Sequence, residues 1–352
     1  MVEPVGIALV GLGNWSRHLA AAIRRAEGTR LVACYTRTPE KRQAFAADFG
    51  CADAPTLDNA LSAPGVEAAV LATPADSHAA LTFISAARRL HVLVEKPMAL
   101  SVEEARHMAQ ACQDAGVVLM VNHEMRRLGS TRAMKHLVES GELGRIITAT
   151  ANMTLTGRFH PDNWRCHRDT NRGGALMQLG IHQIENLRYL LGEVMSVRGV
   201  FANAVAPNDV DDVGVAHLEF ASGARAVVSS SYVSPSAYDL VLFGDRANLR
   251  CVADMRVWPD SLQVDPHTSL TLHTRTELED VPREPQDVLA QQMNDFARAI
   301  RAGGEPETGW REGLAAVAIV EAALQSFASG EPVDPRPLMA LEQDVTRGGD
   351  NR

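Results

Sequence analysis

Short apolar runs alternate with amphipathic, alanine-rich segments through the first third of the chain. The runs occupy residues 5–10, 30–35, 68–72, 92–94 and 117–121. Buried parallel strands read as short apolar runs, and each needs a helical crossover before the next strand. The alternation therefore predicts an α/β domain with a parallel sheet and right-handed crossovers.

The pattern changes after about residue 146. Strand-like segments separated by turn residues occupy residues 213–220, 225–232, 239–243 and 248–258, and they predict an antiparallel sheet. Helices are expected at residues 174–191, 286–302 and 310–329. We therefore expect two domains, at residues 1–124 and 125–343, followed by a polar tail at residues 344–352.

Length and composition limit the class of protein. A chain of 352 residues has the size of two domains. Hydrophobic residues at 46% and charged residues at 22% exclude the disordered and fibrous classes. The longest apolar stretches, such as residues 314–320, are shorter than the ~18 residues of a membrane span, and the first residues lack a secretory signal. We expect a cytoplasmic protein that does not enter a membrane.

Net charge and cysteine spacing further limit the classes of ligand that we expect. A net charge of −9 with scattered basic residues argues against nucleic acid, which needs a concentrated basic surface. An anionic small-molecule ligand is compatible with this net charge, because one or two well-placed cations can bind it. The five cysteines are far apart and form no C-x-x-C pair, so we expect reduced thiols and no metal site.

A glycine-containing turn follows the first apolar run directly, with the sequence Gly11-Leu12-Gly13-Asn14-Trp15-Ser16. The first glycine permits a tight turn, and the second lets backbone N–H groups approach a pyrophosphate at the start of a helix, here expected from about residue 17. Ser16 replaces the third glycine of the G-x-G-x-x-G fingerprint. The motif predicts a dinucleotide site, with an ordinary strand-to-helix turn as the alternative.

The end of the second run bears on cofactor choice. It reads Tyr35-Thr36-Arg37-Thr38-Pro39 and lacks the carboxylate that usually binds the adenosine ribose. Arg37 can face a phosphate, Thr36 and Thr38 can donate hydroxyl hydrogen bonds, and Thr38-Pro39 is typical of a helix start. We therefore predict NADP(H) in preference to NAD(H), against the alternative of a solvated helix start with an ordinary arginine.

Four further motifs occur in a fixed order along the chain. They are Ala72-Thr73-Pro74 with His78, Glu95-Lys96-Pro97, the turn Gly141-Glu142-Leu143-Gly144, and Gly173-Gly174-Ala175-Leu176 leading to Gly180-Ile181-His182. Together with the glycine turn, this set resembles the family of glucose-fructose oxidoreductase and inositol dehydrogenase (Gfo/Idh/MocA). The resemblance covers nearly the whole chain.

The resemblance implies a Rossmann domain followed by an α+β domain with an open, mostly antiparallel sheet. That sheet often serves as an oligomer interface, which implies a homodimer or homotetramer. The cofactor contacts implied beyond the glycine turn are Thr73, Pro74, His78, Glu95, Lys96 and Pro97, with Pro97 commonly in the cis form.

The resemblance implies that Lys96 and His182 are the catalytic residues. A histidine titrates near neutral pH and suits a base that accepts the hydroxyl proton, and a lysine ammonium stabilises charge on the same oxygen. Family members often carry aspartates where this chain has Gln178 and Glu185, which leaves the role of His182 open. One helical turn separates Gln178 from His182, so we expect them on one face, with Gln178 binding substrate hydroxyls.

Substrate contacts are expected at His123, Arg126, Trp164, Arg165, Gln178 and His182, with packing or a solvated loop as the alternative for the first four. The resulting hypothesis is an NADP(H)-dependent oxidoreductase for a secondary alcohol or ketone of a sugar, polyol or cyclic diol. A cofactor-binding regulator and a nicotinamide-dependent glycoside hydrolase are the alternatives.

Overall fold

The computed structural model describes residues 3–157, 163–205, 209–257 and 261–341. Two compact units divide the chain. Unit 1 comprises Met1–Ala99, Glu103–Glu124 and Asp287–Gly313, and unit 2 comprises Leu100–Val102, Met125–Gln286 and Leu314–Arg352. The domain boundary expected between residues 124 and 125 stays a prediction. The compact units differ from it in two segments. Residues 287–313 pack with unit 1 although they lie late in the sequence, and Leu100–Val102 belong to unit 2. The expected tail at residues 344–352 lies outside the described residues.

Unit 1 contains a six-stranded parallel sheet in the order β3-β2-β1-β4-β5-β6. Its strands are β1 Val5–Val10, β2 Thr29–Tyr35, β3 Ala52–Asp53, β4 Ala68–Leu71, β5 His91–Val94 and β6 Leu119–Val121. All residues of β1 and β4 are buried, which explains their continuous apolar sequences, since helices cover both faces of such sheets. β3 was not predicted because two exposed residues form no readable pattern.

Unit 2 contains an eight-stranded sheet in the order β14-β13-β12-β11-β7-β10-β9-β8. Its strands are β7 Ile146–Thr156, β8 Val194–Ala202, β9 Val213–Phe220, β10 Arg225–Ser231, β11 Val233–Gly244, β12 Asn248–Ala253, β13 Thr268–His273 and β14 Leu278–Asp280. Only the β7–β10 pair is parallel among these described strands. The Rossmann domain and the mostly antiparallel second sheet are both confirmed.

Ten α-helices occur in the described chain. They are α1 Asn14–Arg25, α2 Pro39–Phe49, α3 Leu57–Leu61, α4 His78–Ala87, α5 Val102–Ala115, α6 Gly129–Glu139, α7 Ile181–Leu191, α8 Ser261–Val264, α9 Val288–Ala302 and α10 Trp310–Ser329. α1 begins three residues earlier than expected. The helix predicted at residues 174–191 is regular only from Ile181, because Leu176–Gly180 forms a π-helical turn.

α10 is long and apolar enough to cross a membrane by length and composition, contrary to the expectation drawn from its short apolar runs. Within this structure, 67% of its most apolar window is buried. Burial against the rest of the protein therefore accounts for its composition, as in the core helix of a globular protein.

Candidate active site

The carboxyl ends of the parallel strands in unit 1 bring most of the predicted cofactor residues to one edge of the sheet. Gly11 follows β1, Thr36 follows β2, Thr73 follows β4 and Glu95 follows β5. β1 lies between β2 and β4, so the strand order reverses at this point. Ligands of open α/β sheets bind in the crevice at such a switch point.

Glycine occurs at the two positions of the first turn for different structural reasons. Gly11 has φ +91, and a Cβ there would lie 2.6 Å from the carbonyl oxygen of Ala72, so the fold itself requires glycine. Gly13 is the N-cap residue of α1, and a Cβ there would meet nothing within 4 Å. Packing does not explain glycine at position 13. Open space before a helix N-terminus fits a phosphate group that approaches the backbone N–H groups.

The next three residues form the first turn of α1. Asn14 is exposed and Trp15 is half-buried. Ser16 is buried, and its hydroxyl donates to the carbonyl oxygen of Gly13 at 2.5 Å. The small third residue therefore packs closely, and both its hydroxyl and its backbone N–H donate to Gly13 across the turn.

The β2 end carries an exposed arginine. Among the residues that the structure describes, Arg37 has no ion-pair partner, and Thr38 is the N-cap of α2 without a side-chain capping hydrogen bond. Arg42 is buried instead, paired with Asp53 and donating to the carbonyl oxygen of Thr36 at 3.3 Å. Sequence reasoning missed the Arg42–Asp53 pair, because it depends on the unpredicted β3.

His78 connects two loops of the site rather than presenting its ring to solvent. The side chain is fully buried, with Nδ1 3.0 Å from the carbonyl oxygen of Pro97 and Nε2 2.9 Å from that of Thr73. Burial lowers the pKa of the ring, against the opposing effect of these carbonyl groups. His78 has no exposed atom for the expected cofactor contact. It holds Thr73, beside the exposed Pro74, to the Lys96–Pro97 segment, whose peptide bond is cis as the resemblance implied.

A buried polar network lies where β5 and β6 end. Glu95 accepts hydrogen bonds from the Trp15 indole and from the amide of Asn122, and the oxygen of that amide accepts from Gln292 on α9. Lys96, half-buried, follows Glu95. Sequence reasoning placed Glu95 at the cofactor but missed Asn122 and Gln292. Asn122 could have been found as the first polar residue after an apolar run, whereas nothing in the sequence marks Gln292.

The segment after β6 adds two buried ionisable residues, His123 and Glu124. Burial raises the pKa of Glu124 to about 8 and that of Glu95 to about 7. Lys96 acts on both carboxyls in the opposite direction. Groups with strongly shifted pKa values cluster at functional sites, and this cluster adjoins the predicted catalytic lysine.

Unit 2 holds the predicted base. Gln178 lies in the π-helical turn and His182 in the first turn of α7, and both are buried. The regular offset of an α-helix does not apply across a π turn, so the shared face of these two side chains stays a prediction. Arg126 is buried and paired with Glu185, and its guanidinium lies 4.8 Å from the ring centre of Tyr189. Arg126, which was expected to contact substrate, therefore already has a carboxylate partner.

Trp164 and Arg165 lie in a short 3₁₀ helix, Trp164–Cys166. The Arg165 guanidinium is 4.2 Å from the centre of the Trp164 ring system, so one aromatic face already has a cationic neighbour. Stacking of Trp164 on a sugar ring stays a prediction. Within the described residues, no group of three or more His, Cys, Asp or Glu side chains is placed to hold a metal ion.

Comparisons with known proteins match both units. Residues 5–123 match a family model described as "Oxidoreductase family, NAD-binding Rossmann fold", and residues 131–250 match the "GFO/IDH/MocA C-terminal domain". A crystal structure from Desulfitobacterium hafniense, provisionally named as an NADPH-dependent oxidoreductase, superposes with a TM-score of 0.93. It is 32% identical in sequence over 96% of this chain and 100% of its own.

Two curated relatives carry substrate names. D-apiose dehydrogenase of Paraburkholderia graminis is 28% identical over 96% of this chain and 92% of its own length. Inositol 2-dehydrogenase of Rhizobium meliloti is 28% identical over 92% of this chain and 97% of its own length.

Proposed function

Because the chain belongs to the Gfo/Idh/MocA oxidoreductase family, we propose that it is an NADP(H)-dependent oxidoreductase acting on a polyhydroxylated small molecule. The hydride passes between the nicotinamide and a secondary alcohol or ketone of a sugar, polyol or cyclic diol. Relatives named for D-apiose and inositol support this substrate class.

One observation carries the proposal. The same sheet edge presents the uncapped start of α1 with free space beside Gly13, and the Glu95-Lys96-Pro97 segment after β5. The first feature suits a pyrophosphate, and the second provides an ammonium group among buried polar residues. A dinucleotide bound along this edge contacts the same rigid sheet through its phosphates and through its nicotinamide end.

The residues divide the chemistry as follows. When bound, the nicotinamide supplies the hydride acceptor for oxidation and the donor for reduction. Lys96 donates a hydrogen bond to the reacting oxygen and stabilises negative charge on it. His182 accepts the hydroxyl proton during oxidation and returns it during reduction. Gln178 binds a neighbouring substrate hydroxyl, and His78 keeps the two loops of unit 1 in place.

The preference for NADP(H) is proposed from Arg37. Its charge is exposed and without an ion-pair partner in the described chain, whereas the Arg42 charge is satisfied by Asp53. The 2′-phosphate of NADP(H) supplies a negatively charged partner for Arg37. The Thr38 hydroxyl and the start of α2 follow Arg37 directly in the chain. The name of the Desulfitobacterium protein supports this preference.

Nicotinamide absorbance over a panel of sugars, polyols and cyclic diols tests the function. We expect turnover with at least one substrate, loss of at least about a hundredfold in kcat for Lys96→Ala, and unchanged turnover for Lys41→Ala, an exposed lysine of the same unit. Tight cofactor binding without any turnover would indicate a regulator instead. Release of a sugar without net change in the cofactor would indicate a glycoside hydrolase.

The proposed function includes self-association. Apolar side chains are exposed on strands of the second sheet, among them Ile147, Val200 and Val227. Such side chains support an interface through the open sheet, giving a homodimer or homotetramer. Light scattering measures the mass, and a monomer at micromolar concentration would contradict this part of the proposal.

A further inference from the structure

Glu95 and Glu124 follow neighbouring strands of the sheet in unit 1. β5 and β6 pair in parallel with Val94 opposite Val121, and the backbone N–H of Asn122 donates to the carbonyl oxygen of Val94 at 2.8 Å. Glu95 is 9% exposed and Glu124 is 2% exposed. Two carboxyl groups and the Lys96 ammonium therefore share one buried region of unit 1.

The two carboxyls are not equivalent in their partners. Glu95 has the Trp15 indole and the Asn122 amide as donors, and Asn122 is held in turn by Gln292. One oxygen of Glu124, Oε2, is buried with no hydrogen-bond partner within the described part of the chain. The donor to the Glu124 carboxyl is its own backbone N–H, whereas Glu95 has two side-chain donors. Because a buried carboxylate with few donors is costly, the arrangement favours charge on Glu95 and a proton on Glu124.

In the described part of the chain, charged and polar groups reach the pair from its own two segments and from two helices. Glu95 and Lys96 act electrostatically on Glu124, and Lys96 acts on Glu95. From α1 and α9 the network is completed by Trp15 and Gln292, which do not titrate near neutral pH. His123 precedes Glu124 in the chain, and Arg126 and Arg127 follow it, with Arg126 paired to Glu185.

We propose that Glu124 is a positioning residue that sets the charge of Lys96. This inference rests on the proposed function for the role of Lys96. Glu95 ionises first, and its carboxylate balances the Lys96 ammonium while Glu124 keeps its proton. As the pH rises, Glu124 releases that proton to solvent, and the second carboxylate keeps Lys96 protonated to higher pH. The lysine thus stays cationic over a wider range than one carboxylate would allow.

The first experiment needs no substrate. Acetylation of Lys96 is followed by peptide mass spectrometry as a function of pH in the full-length protein, with exposed Lys41 as the internal reference. In Glu124→Gln we expect the Lys96 reaction to begin about one pH unit lower than in the wild type. Glu124→Asp, which keeps the charge, should restore most of the wild-type profile, and Glu103→Gln, which neutralises an exposed carboxyl, should not move it.

Superimposable Lys96 profiles for wild type and Glu124→Gln would overturn the proposal. Infrared spectra give a second measurement. The C=O absorption of protonated carboxylic acids should contain a band that disappears with a midpoint of about 8, and this band should be lost in Glu124→Gln. A wild type without that band also overturns the inference. If Glu124→Gln does not fold, the wild-type infrared titration still decides.

The pH dependence of kcat separates the inference from the proposed function. With a substrate in hand, Glu124→Gln should move the alkaline limb of kcat to lower pH by about the same one unit. Lack of turnover with every substrate would refute the proposed function, while the acetylation and infrared results would still report on Glu124 and Lys96.

Discussion

The buried guanidinium of Arg126 is paired with the buried carboxylate of Glu185, three residues after His182 along α7. Burial makes both charges depend on partners within the protein, because water does not solvate them there. The pair thereby fixes the segment after β6 to the helix that carries the predicted base.

Removing one member of this pair should destabilise the protein strongly. We expect Glu185→Gln to lower the free energy of unfolding by about 3–5 kcal/mol, because it removes the carboxylate that pairs with the buried Arg126 charge. The matched control is Glu139→Gln, which breaks the exposed Lys135–Glu139 pair on α6, with side chains 26% and 64% exposed, and should cost less than about 0.5 kcal/mol. Denaturant unfolding measures both, and equal losses would contradict the importance of burial.

Alanine at the two glycines of the first turn should separate folding from cofactor binding. Gly13→Ala should leave the unfolding free energy nearly unchanged, since its Cβ meets open space, and weaken NADPH binding by about tenfold or more by occupying the phosphate position. Gly11→Ala should destabilise the fold by about 2 kcal/mol or more, because of its positive φ and the Ala72 carbonyl. Titration calorimetry and thermal unfolding check this, and full NADPH affinity in Gly13→Ala would exclude the pyrophosphate assignment.

Arg37 should discriminate between the two nicotinamide cofactors. Arg37→Ala is expected to weaken NADPH binding by about tenfold to a hundredfold, the value of one charge-assisted contact, and to leave NADH binding nearly unchanged. Arg24→Ala, which removes an exposed arginine from α1, is the control for the change in net charge. Equal weakening of both cofactors by Arg37→Ala would exclude the 2′-phosphate role.

Cys51 should be the most reactive of the five cysteines. Its thiol hydrogen-bonds with Cys34, which lowers the pKa of Cys51 and raises that of Cys34. Burial raises the pKa of Cys112 and of Cys251 to about 12. Alkylation by iodoacetamide, mapped by mass spectrometry, should modify Cys51 first, and Cys34→Ala should slow it by about three- to tenfold while Cys112→Ala has no effect. Faster labelling of Cys112 than of Cys51 would contradict this ranking.

The raised pKa values of Glu95 and Glu124 should make stability fall as pH rises. Between the ordinary value of 4.5 and about 8, the folded protein holds protons that the unfolded chain has released. The unfolded state then binds fewer protons, so the free energy of unfolding decreases with pH across this window. Glu124→Gln should flatten the decrease, and Glu103→Gln should not. Urea unfolding at several pH values gives the slope, and an unchanged slope in Glu124→Gln would contradict the assignment.

Local sequence was sufficient wherever the physical cause is local. The first turn, the Thr38-Pro39 helix start and the extent of α10 were predicted correctly, because each depends on neighbouring residues and their backbone preferences. The order of buried strands and helices was likewise readable, since burial on both faces of a parallel sheet leaves unbroken apolar runs. Strands with mixed polarity, such as β7, left no comparable pattern and were missed.

The polar contacts within the site arose only from the tertiary structure. Asn122 and Gln292 are 170 positions apart, Arg126 and Glu185 are 59 apart, and Arg42 meets Asp53 through a two-residue strand. A buried polar side chain must find whatever donor or acceptor the packed chain brings near, and no spacing rule marks that partner in advance. The amino-acid order therefore predicted the sheet edge and the lysine that we propose for the cofactor, whereas packing decided that Arg126 pairs with Glu185 and Arg42 with Asp53.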